Sequence, residues 1–164
     1  MKLIRYGTDG REKPGLIDGE GRLRDLSVAI ETLDQTTLSP QGLNSLRSIA
    51  PESLPRVIGY PRLGVPFSGI SKIVGGGLFY RDHAMEAGMP IPAEPILFMK
   101  ATTCIVGPNG PIVLPPGSTK TDWEVELAIV IGTLARRVPV DQALDHVAGY
   151  CVANDVSERE YQLE

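Results

Sequence analysis

Polar and apolar residues alternate most regularly over Asp122-Trp123-Glu124-Val125-Glu126-Leu127-Ala128-Ile129-Val130-Ile131-Gly132. A period of two predicts a strand, because successive side chains leave opposite faces. Glu124 and Glu126 then share a face with Asp122. Trp123, Val125 and Leu127 take the other face and are expected to enter a core. Residues 2–6 read as a first strand, and 14–18 and 22–26 as a hairpin around Gly19-Glu20-Gly21. Further strands are expected at 72–74, 96–100, 104–106, 112–114 and 147–154. The third and fourth of these flank Gly107-Pro108-Asn109-Gly110-Pro111, where Asn-Gly favours a tight turn.

Helical signals are short. Ser39-Pro40 places a cap before a proline at the first helical position, followed by Leu43, Leu46 and Ile49 at helical spacing. Short helices are also expected over 27–33, 80–87 and 139–144. Ser157-Glu158-Arg159-Glu160 fits a capping box, so another helix is expected to run from there to Glu164. Residues 51–70 carry four prolines and read as an irregular connection. A boundary near residue 70 is therefore expected, with a small α+β domain over 1–70 and a second domain over 71–164. Eighteen Gly and fourteen Pro in 164 residues suit short strands and turns better than a helical bundle. The fold class expected is α+β, predominantly β.

Composition narrows the function classes. A hydrophobic fraction of 42% with 22% charge is that of a globular protein, and no apolar run is long enough to span a membrane. The start lacks a signal-peptide core, so a cytoplasmic location is the default. A net charge of −4 argues against a nucleic-acid surface. Cys104 and Cys151 show no zinc spacing and are expected to be two buried free thiols.

The candidate chemistry is acidic. Carboxylates crowded on one strand face repel each other unless a cation sits among them. An oxygen-only donor set suits Mg²⁺ or Mn²⁺, and Ca²⁺ as well. The rival reading is a solvated acidic face. Asp155, just past the apolar run 147–154, is a candidate third ligand. Taken alone, the Asn-Asp pair is better explained by turn chemistry, and the acidic strand beside it is what makes Asp155 a candidate ligand. His83 and Glu86 stand three apart, on one face of a helical turn, where the carboxylate can orient the imidazole as a general base. A surface histidine beside a solvated glutamate is the alternative. His146 reads as structural. Gly75-Gly76-Gly77 lacks the spacing of a phosphate loop and reads as a place where backbones approach closely.

Taken in order, these segments resemble the fumarylacetoacetate hydrolase family. The likeness rests on Tyr80-Arg81-Asp82-His83-Ala84-Met85-Glu86, Pro95-Ile96-Leu97-Phe98-Met99-Lys100, Ile105-Val106-Gly107-Pro108, Ile112-Val113-Leu114-Pro115, Asp122-Trp123-Glu124-Val125-Glu126-Leu127 and Gly149-Tyr150-Cys151-Val152-Ala153-Asn154-Asp155-Val156-Ser157. The version here looks closest to the branch of diketo-deoxy-sugar-acid hydrolases and proteins labelled ureidoglycolate lyase. The resemblance implies an incomplete mixed β-roll or barrel over 71–164. It implies a divalent metal on Glu124, Glu126 and Asp155, a His83–Glu86 dyad that activates water, and Tyr80 and Gln162 as substrate contacts; Lys100, close in sequence to this site, is a candidate oxyanion donor. The implied reaction is hydrolytic C–C cleavage of a β-diketo acid, in a protein expected to be a homodimer. Decarboxylases, isomerases and hydratases of keto acids share the family. Phe79 departs from the family's usual Cys-x-Gly-x-Asn-Tyr, which has a polar amide at that position. The family's catalytic domain also continues further. This implies a portion of a longer enzyme, a half completed by another chain, or a remnant that binds partners without catalysis.

Overall fold

A computed structural model describes residues 1–162. They form two compact units, Met1–Ser68 with Val106–Glu164, and Gly69–Ile105. In the first unit, β1 (Lys2–Tyr6), β2 (Lys13–Ile17) and β3 (Leu23–Asp25) make an antiparallel sheet in that order. The β2–β3 turn closes over a buried carboxylate. Asp18 accepts the backbone N–H groups of Glu20 and Arg22 and the Nε of Arg22 and Arg24, each at 2.9 Å. Burial alone would raise this carboxyl. The four donors overcome it and hold Asp18 well below the usual carboxylate range.

Helix α1 (Pro40–Arg47) begins as its sequence requires, with Ser39 Oγ accepting the Gly42 N–H at 3.1 Å. Leu46 joins Leu16, Leu26, Leu33 and Leu54 in the core, against which Leu3, Ile30, Ile49 and Phe67 pack. The helix expected over 27–33 is absent. Leu26, Ile30 and Leu33 have helical spacing, but only one turn forms, with Leu26 O accepting from Ala29 and Ile30. Thr37 and Asp34 then capture the chain, Thr37 Oγ1 donating to the Thr32 carbonyl at 3.2 Å. After a single 3₁₀ turn at Pro51–Ser53, residues 54–68 are irregular but fastened. Leu54 is buried, Leu63 bridges Tyr6, Arg56 bridges Arg24, and Ser68 N–H donates to Leu33 O at 2.8 Å.

Further along the same unit come β6 (Thr121–Asp122), β7 (Val125–Ile131), β8 (Val147–Asn154), β9 (Ser157–Glu158) and α3 (Arg159–Gln162). β7 pairs antiparallel with β8, and β6 with β9. No sheet closes on itself among the described residues. The strands expected at 104–106 and 112–114 do not form. Asn109-Gly110 makes a turn, with Gly110 N–H on Gly107 O at 2.9 Å, but prolines 108, 111, 115 and 116 deprive the flanks of ladder donors. Residues Val140–His146 wind as a 3₁₀ helix rather than an α-helix. The capping box also fails, because Ser157 is taken by the β9 pairing with Asp122, so α3 starts at Arg159. Its expected continuation to Glu164 lies outside the described residues.

Two expectations about burial are corrected. Trp123, Val125 and Leu127 are 68%, 66% and 58% exposed, so the apolar face of β7 enters no core among the described residues. Both cysteines are free, but Cys104 is exposed and Cys151 only half-buried, where desolvation pushes its thiol up. No described helix is long and apolar enough to cross a membrane.

The second unit holds an antiparallel ribbon of β4 (Ile73–Gly77) and β5 (Ile96–Lys100), with α2 (Arg81–Glu86) between them in sequence. The glycine triplet lies inside β4, and aromatic rings rather than backbones crowd it. A Cβ on Gly75 would come within 2.4 Å of the Phe98 ring, and one on Gly76 within 2.0 Å of Phe79.

Candidate metal centre

The first step toward the site is a break in the predicted strand. The alternation of 122–132 suggests one continuous strand, but β6 ends at Asp122 and β7 begins at Val125. Asp122 belongs to the β6–β9 pair. It is not part of the carboxylate cluster that forms beside it. Glu124 sits in the gap, with its N–H on the Asn154 side-chain oxygen at 3.1 Å and its carbonyl accepting the Asp155 N–H at 2.8 Å. These two bonds hold the start of β7 against the end of β8. Glu126 lies two residues on, opposite Ala153.

Glu124, Glu126 and Asp155 thereby converge. One oxygen from each lies within 4.8 Å of the other two, with Asp155 buried and the glutamates half-buried. Ligand oxygens around an octahedral ion at about 2.1 Å stand roughly 3–4 Å apart. A cluster of three carboxylates is costly without positive charge, and a hard divalent cation suits an all-oxygen donor set.

Arg159 supplies the neighbouring positive charge. Its Nη1 pairs with Glu124 Oε1 at 2.5 Å and donates to Gln162 Oε1 at 2.9 Å, and its Nη2 pairs with Asp122 Oδ2 at 2.9 Å. The guanidinium hydrogen bond, helped by the Trp123 N–H, holds the Asp122 carboxyl below its ordinary value. Asp122, in turn, is the main cause that raises Arg159. Gln162, a predicted substrate contact, is thus tied through Arg159 to Glu124. The β6–β9 pair that leads into Arg159 at the start of α3 is fastened by Glu158. Its carboxylate accepts from the Ser118 and Thr121 hydroxyls and the Lys120 N–H, and the Ser118 bond is the leading cause of its lowered pKa.

Neither Arg159 nor Glu158 was legible as part of the site. Their partners stand 35 to 40 positions away in sequence, and no local spacing signals that.

The remaining predicted residues belong to the second unit. Tyr80 precedes α2 as its cap position, without a capping side-chain bond, and His83 and Glu86 are exposed on α2. Lys100 ends β5 opposite Ile73, whereas α2 leaves the ribbon at its other end, where Gly77 faces Ile96. His146 makes a structural contact, its Nδ1 lying 2.9 Å from Thr133 Oγ1. These two residues help line a shallow cavity of about 130 Å³ beside α1, which includes none of the predicted site residues.

Residues 72–164 match the model of the fumarylacetoacetate hydrolase C-terminal domain. Over all 164 residues the chain is 56% identical to a provisionally named hydrolase of Burkholderia ambifaria, and covers 58% of that protein. The crystal structure of fumarylacetoacetate hydrolase from Exiguobacterium antarcticum superposes with a TM-score of 0.77 at 31% identity, over 99% of this chain and 58% of that one. A maleylpyruvate hydrolase from Sphingobium sp. SYK-6, solved with manganese(II) and pyruvate, shares the fold with a TM-score of 0.77 at 24% identity, over 97% and 60% of the two chains.

The chain belongs to the fumarylacetoacetate hydrolase family. It spans 58% of the length of the curated relatives it matches.

Proposed function

We propose that these residues form part of a divalent-metal-dependent hydrolase that cleaves a C–C bond of a β-diketo acid of the acylpyruvate or diketo-deoxy-sugar-acid type. The observation that carries this reading is the meeting of Glu124, Glu126 and Asp155 within 4.8 Å, drawn from two neighbouring strand ends. Mg²⁺ or Mn²⁺ held by these three carboxylates would supply Lewis-acid charge that favours an enolate. Family membership favours enzymatic chemistry of this kind over a solvated acidic face.

The chain's own residues take the remaining roles. His83 accepts a proton from water, whose oxygen bonds to the carbonyl carbon distal to the substrate carboxylate. Glu86 keeps the imidazole oriented. Lys100 donates to the oxyanion that develops at the attacked carbonyl. The C–C bond then breaks, its electron pair leaves with the keto-acid fragment, and a proton returned to that carbon completes the hydrolysis. Tyr80 and Gln162 contact the substrate. Arg159 holds Gln162 and Glu124 in fixed relation through its two bonds. The roll or barrel of the family completes the fold in this reading.

Calorimetric titration with Mn²⁺ or Mg²⁺, followed by an acylpyruvate hydrolysis assay, tests the proposal. Saturable binding at one site with metal-dependent turnover is the expected result. The absence of binding by the three carboxylates would sink it. Metal binding without turnover would favour a non-catalytic lobe.

A further inference from the structure

We infer that Asp122 is a positioning residue of the proposed metal centre: it holds the Arg159 guanidinium at the edge of the carboxylate cluster and keeps that charge from occupying the ion position. This rests on the reading of Glu124, Glu126 and Asp155 as ion ligands. It gives a role to the one acidic residue of 122–132 that stands outside the cluster.

Both ends of the contact are set by backbone. Asp122 pairs with Ser157 in the β6–β9 ladder, and the Arg159 N–H donates to the Lys120 carbonyl at 3.0 Å. The two carboxylate oxygens of Asp122 are divided. Oδ1 accepts the N–H of Trp123 at 2.9 Å, and Oδ2 accepts Nε and Nη2 of Arg159 at 3.2 and 2.9 Å. The third nitrogen, Nη1, reaches Glu124 and Gln162.

Charge shows why this fork matters. A guanidinium beside three gathered carboxylates can neutralise them, which makes it a rival to a metal ion. Asp122 competes for that charge. By engaging two of the three nitrogens, it leaves Arg159 to steady Glu124 through Nη1 instead of settling among the ligand oxygens. Only an arginine can do both at once, because its donors form a rigid fork. Stability does not account for the pair. The Asp122 side chain is 49% exposed and that of Arg159 31%, and an ion pair this open to water adds little to folding.

A double-mutant cycle on the 164-residue chain tests the inference, read as Mn²⁺ affinity by calorimetry. Asp122→Asn should weaken Mn²⁺ binding about tenfold, a coupling usual for side chains in direct contact. The melting temperature of the metal-free chain should move by no more than about 2 °C. With Arg159→Met already in place, the same change at Asp122 should alter the affinity by less than about twofold. Arg159→Lys keeps the charge without the fork and should remove the Asp122 dependence in the same way. An Asp122 effect of full size in either background would mean that its own charge attracts the ion, and would overturn the inference. So would an Asp122→Asn chain that binds Mn²⁺ as tightly as the parent.

A metal-free reading separates this from a failure of the metal site. The Nε–H resonance of Arg159, identified by its loss in Arg159→Met, should exchange slowly with water, and Asp122→Asn should speed that exchange by at least about tenfold. Glu124→Gln, which touches Nη1, should leave it within about twofold. A parent chain with a protected Nε–H that binds no Mn²⁺ removes the proposed metal centre, and the inference with it. A parent chain that binds Mn²⁺ but shows no Asp122-dependent protection removes the positioning role alone.

Discussion

The Asp155 N–H donates to the Glu124 carbonyl at 2.8 Å, joining two residues 31 positions apart through their backbones while their carboxylates converge on one point. Backbone pairing therefore sets the positions from which these carboxylates meet. The proposed metal site would require preorganisation of this kind.

Replacing one of the donors should abolish tight metal binding without unfolding the chain. For Asp155→Asn and Glu126→Gln, Mn²⁺ affinity measured by calorimetry should fall by at least about 100-fold. The rise in melting temperature that Mn²⁺ gives the parent chain should disappear with it. Unchanged affinity in both variants would contradict a shared ion site.

Loss of the proposed base should separate from loss of the ion. His83→Ala should reduce acylpyruvate hydrolysis by about 100-fold or more, within the usual contribution of general acid–base catalysis, while Mn²⁺ affinity stays the same. Glu86→Gln should have a smaller effect in the same direction. Turnover unaffected by either change would remove the dyad from the mechanism.

Asp18 should govern acid stability. Its carboxyl is held low in the folded chain, so its contribution is present above the unfolded value near about 4 and is lost progressively as pH falls below that. Asp18→Asn should therefore lower stability at pH 7, and the gap from the parent should narrow below about pH 4. Denaturant melts at pH 7 and pH 3 measure this. A gap of constant size would refute the assignment.

Tyr6 should act at the other end of the scale. Burial first, then the charge and hydrogen bond of Asp25, push its phenol up to about 12. The stabilising neutral form is fully favoured below the unfolded value near about 10 and is lost as pH rises from there through 12. Between those values the parent should lose stability more steeply than Tyr6→Phe. Parallel curves in alkaline melts would show that Tyr6 does not carry this dependence.

Several features were legible because their causes are local. Ser39 and Pro40 announce α1, Gly19-Glu20-Gly21 announces the β2–β3 turn, and the alternation after Glu124 announces β7. Strand pleating predicts that Glu124 and Glu126 share a side, and their carboxylates do meet, although Glu124 lies just ahead of β7. Their link with Asp155 was a proposal from residue type and family resemblance, and the register of β7 with β8 brings the three together.

The sequence by itself determined the cap of α1, the β2–β3 turn, the body of β7 and which carboxylates can face one way, since backbone periodicity and side-chain chemistry act over a few residues. Only the tertiary structure decided that Asp122 leaves that cluster for Arg159, that Ser157 joins a strand instead of capping a helix, and that Trp123 and Leu127 remain exposed. Those outcomes depend on partners more than 30 positions away, or on the absence of a covering layer among the described residues. Hydrogen-bond pairing and burial are settled by whatever surface the folded chain presents, which no local pattern encodes.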